Sequence, residues 1–300
     1  MSILNMPSDG LFNVLIVLTR VIVRFGAMTR DELLKASGAG LEVVDPKQLS
    51  QTLNRWIELG FFESEDGVVA IRKAYLGRLG KSADSAETLL PQIVREIALA
   101  PQNNERFWES EENKSADLSR GLSWILAQDV YRTDTGSHSK ISSLEGAQVA
   151  DATRRILQND TRWNGLRTWM IYLGFARSGA QVTIDPTEAL RDVVPYIFEA
   201  SETLPAPIFI EHAAEKLPVL DGGAYRAQVE AVLNPQSWAP PPDGYVSTSL
   251  SRAIQRLDRE GMIAAELRSD SRGGISLIGT GGRTWRTVTH IRRLPAEKGK

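Results

Sequence analysis

A helix-length segment with an apolar stripe, a glycine at its end and a short apolar stretch that turns back on itself occurs three times in this chain. The first copy is Leu49-Ser50-Gln51-Thr52-Leu53-Asn54-Arg55-Trp56-Ile57-Glu58-Leu59-Gly60-Phe61-Phe62, and the last is Leu250-Ser251-Arg252-Ala253-Ile254-Gln255-Arg256-Leu257-Asp258-Arg259-Glu260-Gly261-Met262-Ile263. At a constant offset of 201 residues, Leu49, Ser50, Arg55 and Gly60 recur as Leu250, Ser251, Arg256 and Gly261, and the apolar Leu53, Trp56 and Phe62 recur as Ile254, Leu257 and Ile263. A looser copy runs from Leu166 through Leu173-Gly174-Phe175 to Ile184. Apolar residues at i, i+3 or i+4, and i+7 bury one stripe of a helix and leave the opposite face free. That face carries Gln51, Asn54 and Arg55 in the first copy, and Arg252, Gln255 and Arg259 in the last. The glycine takes the left-handed backbone that ends a helix at low cost. After the first copy, Glu65-Asp66-Gly67 divides the apolar stretches 61–64 and 68–71, an Asp-Gly hairpin signal.

Each unit resembles the recognition helix and wing of a winged-helix domain, and the flanking sequence supplies the remaining helices. Residues 8–25 read as a helix with Ser8 or Asp9 as its cap, and Thr29 to Ser37 as a second, where Thr29 and Glu32 have capping-box spacing. Helices are predicted over 86–99, 118–130, 144–158, 161–173, 207–216, 224–233 and 247–260, with another opening at Pro186. The acidic stretch 102–117, with Glu105, Glu109, Glu111 and Glu112, reads as a linker or solvated loop that Phe107-Trp108 can anchor, and 132–143 reads as a loop. In the last copy the predicted wing runs from Met262–Leu267 through Arg268–Gly274 to Ile275–Ile278, with Val288 to Ile291 as a further strand. The expected fold is mainly α with small β-hairpin wings (α+β), as tandem winged-helix-like modules joined by helices. Their boundaries are 1–80, 81–203 (with a module at 118–184) and 204–300.

No window approaches the run of about 18 apolar residues that a membrane span needs, and the start lacks the basic segment of a secretory signal. The absence of cysteine excludes disulfides and thiolate chemistry and fits a reducing cytoplasm. The net charge of −2 conceals a polarity: residues 1–80 balance 9 basic against 9 acidic side chains, residues 81–240 carry 15 against 22, and residues 241–300 carry 11 against 6. A basic end on an otherwise acidic chain steers a polyanion to that end.

The last copy is therefore the expected DNA-contacting module. Ser247, Ser249, Arg252, Gln255, Arg256 and Arg259 on its helix, with Arg268 and Arg272 on the wing, are donors able to reach phosphates or base edges. The alternative is that this polar face is simply solvated. In the first copy Glu63, Glu65 and Asp66 at the wing tip repel phosphate, so that module is expected to pack against another module or another protein instead. Gly77-Arg78-Leu79-Gly80-Lys81-Ser82 ends like a phosphate-binding loop but lacks the upstream glycine and the strand-to-helix context, and reads as structural. His138, His212 and His290 fall in different modules without paired ligand spacing, so no metal and no cofactor is expected. No catalytic constellation is recognisable. Trp56, Trp124 and Trp169 sit at helical spacing and read as core.

The opening Met1-Ser2-Ile3-Leu4-Asn5-Met6-Pro7-Ser8-Asp9-Gly10-Leu11, with the start of the first module, resembles the DpdG family, accessory proteins of bacterial gene clusters that insert 7-deazaguanine bases into DNA and restrict unmodified DNA. The resemblance extends from Met1 to about Gly40 and carries over no functional residues. It implies a cytoplasmic, phage-defence-related partner of helicases, ATPases and a base-exchange enzyme acting on DNA. The chain is also similar, more generally, to tandem winged-helix partners of chromosome-organising ATPases. The expected function is thus a non-enzymatic protein that binds double-stranded DNA and docks a helicase or ATPase. A homodimeric transcription regulator or a protein-only scaffold are the alternatives.

Overall fold

Local signals fix where the helices begin. Thr29 and Glu32 satisfy each other's backbone amides in a complete capping box, as their spacing predicts. Asp45 accepts from the Lys47 amide ahead of Pro46. Ser82 accepts from the Ser85 amide, and Leu79 before it is buried, so the Gly77–Ser82 motif leads into a helix as a structural segment. The computed structural model describes residues 3–4, 12–109, 114–199, 201–269 and 273–295. The cap candidates Ser8 and Asp9, the linker residues Glu111 and Glu112, and the wing residue Arg272 lie outside the described residues.

From the amino end the elements are α1 (Phe12–Phe25), β1 (Met28–Thr29), α2 (Arg30–Ala36), α3 (Pro46–Glu58), β2 (Phe62–Glu65), β3 (Val68–Ile71), α4 (Lys73–Leu76), α5 (Ala83–Leu99), α6 (Ala116–Leu126) and α7 (His138–Gln148). They continue as α8 (Asp160–Tyr172), β4 (Ala176–Arg177), β5 (Thr183–Ile184), α9 (Thr187–Ile197), β6 (Thr203–Pro205), α10 (Ala206–Lys216), α11 (Ala224–Glu230), β7 (Tyr245–Val246), α12 (Thr248–Arg259), β8 (Ile263–Glu266), β9 (Ile275–Ile278), β10 (Thr284–Val288) and β11 (His290–Arg293). The fold is mainly helical with small, largely antiparallel sheets, the α+β class that the repeats predict. Among the described residues no helix is long and apolar enough to cross a membrane.

The chain forms two compact units. One comprises residues 1–118 with 161–173, the other 119–160 with 174–300. In the first unit, α1, α2 and α3 accompany a three-stranded sheet in the order β1-β3-β2, with β1 between α1 and α2 and the β2–β3 hairpin after α3. The Glu65↔Val68 register leaves Asp66 and Gly67 as a two-residue turn, both with positive φ, as the Asp-Gly signal requires. The repeated stripe is core: Leu49, Leu53 and Trp56 are buried, and Trp56 meets Phe61 edge-on at 6.3 Å and Trp169 at 6.1 Å. Buried Asp117 accepts the amides of Ile3 and Leu4, which ties the amino-terminal residues into this unit.

The three helix stops behave alike: Gly60, Gly174 and Gly261 all have positive φ. The segments after these glycines differ. In the middle copy, α8 from Thr161 onward falls in the first unit and the hairpin β4–β5 in the second. In the last copy β8 does not return along β9, as the predicted wing required. β8 pairs with β11, placing His290 opposite Glu266 and buried Ile291 opposite buried Ala265, while β9 pairs with β10 and, in parallel, with β7. Register follows the buried face, and Ile291 supplies β8 with an apolar partner.

Two helix predictions shift for identifiable reasons. α7 begins within the predicted loop 132–143 and stops at Gln148, because the buried Glu145 carboxylate accepts the amides of Ile156 and Leu157 and so satisfies that stretch without a helix. Pro186 precedes α9 and does not open it; Asp185 accepts the Thr187 amide at 3.1 Å.

Candidate nucleic-acid interface

α12 is amphipathic, as predicted, yet its polar side is not free. Ser247 caps it by accepting from the Leu250 amide at 3.3 Å and donates to Asp221 Oδ1 at 2.6 Å. Thr248 Oγ1 donates to the Gln128 carbonyl and accepts from the Val130 amide, and Ser249 Oγ donates to the Leu126 carbonyl at 2.7 Å. Ser251 Oγ accepts from the Ile278 amide at 2.8 Å. The start of the helix, Ser247 to Ser251, is therefore buried, with each hydroxyl bonded to backbone or to Asp221.

The arginines on the same helix divide. Arg252 lies 4.7 Å over the Tyr131 ring and donates to the Ile184 carbonyl at 2.9 Å. Arg256 pairs with buried Asp185 and with Glu260, each at 3.4 Å. With its amide oriented to suit both donors, Gln255 accepts from Trp285 Nε1 at 3.1 Å and from Arg259 Nη2 at 3.2 Å. Asp258 accepts the Ala265 amide at 2.8 Å and pairs with Arg286 at 3.2 Å. Of the helix positions expected to face DNA, Arg259 alone is exposed; Ser247 and Ser249 are buried and Arg252, Gln255 and Arg256 are half-buried. The free-face expectation fails because the Ile184–Asp185 segment and β10 cover flanks that helical periodicity counts as solvent.

Positive charge does gather on the outer elements of this unit. Arg268 and Arg292 both hold Glu266, at 2.8 Å each, and hydrogen bonds from the two guanidiniums keep the Glu266 carboxyl below its ordinary pKa. Arg268, Arg286 and Arg292 still leave about two fifths of their side chains exposed. Arg259, Arg283 and Arg293 are exposed and have no ion-pair partner among the described residues. Arg283 closes the β9–β10 turn, Gly279-Thr280-Gly281-Gly282, in which Gly281 and Gly282 have φ of 72° and 77° and open space where a side chain would stand. A left-handed glycine pair with open space around it lets another backbone approach closely. Sequence reasoning passes over this turn, although two glycines beside an arginine are an available signal.

The histidines stand apart, on α7, α10 and β11, and the described residues hold no group of three or more His, Asp or Glu able to bind a metal. Trp56, Trp124 and Trp169 are buried as predicted.

The profile of the DpdG-like family matches residues 1–271. The chain belongs to the DpdG-like family. The match reaches far beyond the opening residues that carry the resemblance, spans the first unit entirely, and in the second includes α12 and β8. The chain matches no curated protein and no solved structure.

The attachments of α12 and β8 can be measured through stability. Arg252→Ala strands the Ile184 carbonyl and removes the cation from the Tyr131 ring, so it lowers unfolding free energy by about 1–3 kcal/mol in a denaturant titration. Glu266 has a depressed folded-state pKa, so its contribution is full above the ordinary glutamate range and is lost as pH falls through the folded value. The stability difference between the wild type and Glu266→Gln should accordingly be constant at neutral pH and shrink on acidification.

Proposed function

We propose that this DpdG-like protein is a non-enzymatic accessory factor of the bacterial system that places 7-deazaguanine bases in DNA and restricts unmodified DNA, and that it holds double-stranded DNA on the outer basic edge of its second unit. Family membership supports the system. The DNA role rests on one observation: Arg259, Arg283 and Arg293 are exposed without ion-pair partners among the described residues, in the segment where basic residues outnumber acidic ones. Guanidiniums free of carboxylates release counterions from a phosphate backbone on contact. The β9–β10 hairpin, with Arg283 at its glycine turn, then serves as the wing in place of the expected 262–278 segment.

The first unit is read as a winged-helix module that docks protein. Its order α1-β1-α2-α3-β2-β3 and sheet order β1-β3-β2 support the module. Its hairpin tip is acidic, and Phe25, Leu41 and Val43 are exposed, Val43 at 92%. Exposed apolar side chains on a unit whose hairpin repels phosphate suit a protein partner such as a helicase or ATPase.

Fluorescence anisotropy with a random-sequence duplex over a salt series checks the DNA reading. Replacing Arg259, Arg283 and Arg293 together by Ala should weaken binding at low salt by at least about ten-fold and reduce the log–log salt slope by about 0.9 for each phosphate no longer neutralised. Wild-type protein that shows no salt-dependent binding, or a triple variant with unchanged slope, would remove this edge from the DNA role.

A further inference from the structure

A cleft of about 990 Å³ opens in the second unit, and Gly282 of the β9–β10 turn is on its wall, one residue from Arg283. Trp238 lines it, its indole N–H donating to the Ala127 carbonyl at 3.1 Å, which fixes the ring in place. The Pro240-Pro241-Pro242 run beside it adds a stiff edge. Gln128 and Gln148 also line the cleft and form a relay: Trp124 Nε1 donates to Gln148 Oε1, Gln148 Nε2 to Gln128 Oε1, and Gln128 Nε2 to the Trp124 carbonyl. An amide has two N–H groups and two carbonyl lone pairs, so each glutamine, though buried, keeps one donor and one acceptor position unused by these bonds. The charged lining residues are matched, Arg132 with Asp129 at 3.5 Å and Lys140 with Asp134, leaving no net charge to select a bare anion.

A fixed aromatic face, preset amides offering both donor and acceptor, and balanced charge suit a flat, neutral heterocycle with a mixed hydrogen-bonding edge. We propose that the cleft binds an unpaired nucleobase, with the base against Trp238 and its edge toward Gln128 and Gln148. The Gly281–Arg283 turn at the rim then takes the adjoining phosphate. The strand-borne form of this ligand rests on the DNA reading above; a free nucleoside would satisfy the same chemistry, and the test separates the two.

The test titrates protein into a duplex carrying one unpaired 2-aminopurine, into the same duplex fully paired, and into free 2-aminopurine riboside, following probe fluorescence. The wild type should prefer the unpaired duplex or bind the riboside, with quenched emission. Trp238→Ala should lower that binding about ten-fold while Trp238→Phe, which keeps a ring to stack on, retains most of it. If Trp238→Ala does not fold, as checked by circular dichroism, competition of the unpaired duplex against the riboside on Trp238→Phe replaces it: mutual exclusion supports one base site, and independent binding overturns it. Riboside binding without any duplex binding supports the base site and sinks the DNA reading. Equal affinity for paired and unpaired duplexes with no riboside binding overturns the base site and leaves the DNA reading standing. Quenching that survives Trp238→Ala unchanged overturns the site as placed.

Discussion

The second unit depends on how the first turn of α12 is anchored. A helix start presents backbone donors that need partners, and a buried one needs them from the protein. Here Ser247 and Asp221 form the cap while Thr248 and Ser249 reach the carbonyls of Gln128 and Leu126 at the end of α6. Beyond that turn, Arg252 and Arg256 extend the same attachment to Ile184 and Asp185. The polar residues of α12 thus place the helix inside the unit, and whatever the unit presents to a partner must come from the strands and turns around it.

That arrangement explains how much of the fold is legible in the sequence. Periodicity and end signals locate α3, α8 and α12, the capping box of Thr29 and Glu32, and the Asp66-Gly67 hairpin, because each is decided by residues a few positions apart. The glycine stops at 60, 174 and 261 are equally readable. Strand partners are not: β8 finds β11 across a separation that no local pattern encodes, and so local pattern alone pairs β8 with the wrong strand. The candidate site is misread for a related reason. Arg252 and Arg259 look alike on a helical wheel, and only the tertiary position of Tyr131 and Ile184 makes one internal and leaves the other outside.

The charge polarity of the chain falls on other residues than the helix face the sequence suggests. The excess of basic residues after position 240 remains, but its exposed arginines without carboxylate partners among the described residues sit at the end of α12, in the β9–β10 turn and at the end of β11. A contact built from such residues reads backbone more than sequence, because guanidiniums on turns and strand ends meet phosphates without entering a groove. The first unit, with 15 basic against 17 acidic side chains and an acidic hairpin, offers the opposite surface. The two units thus carry surfaces of unlike chemistry, which is what the proposed joining of DNA to a protein partner requires.

Amide hydrogen–deuterium exchange with and without a DNA duplex reads that division directly. Slow exchange is expected through the buried part of α12 in both states, with DNA-dependent protection confined to the Gly279–Arg283 turn and the Arg259 and Arg293 ends. Protection by DNA over α3 and the Asp66-Gly67 hairpin, or fast exchange along α12 that DNA suppresses, would contradict it.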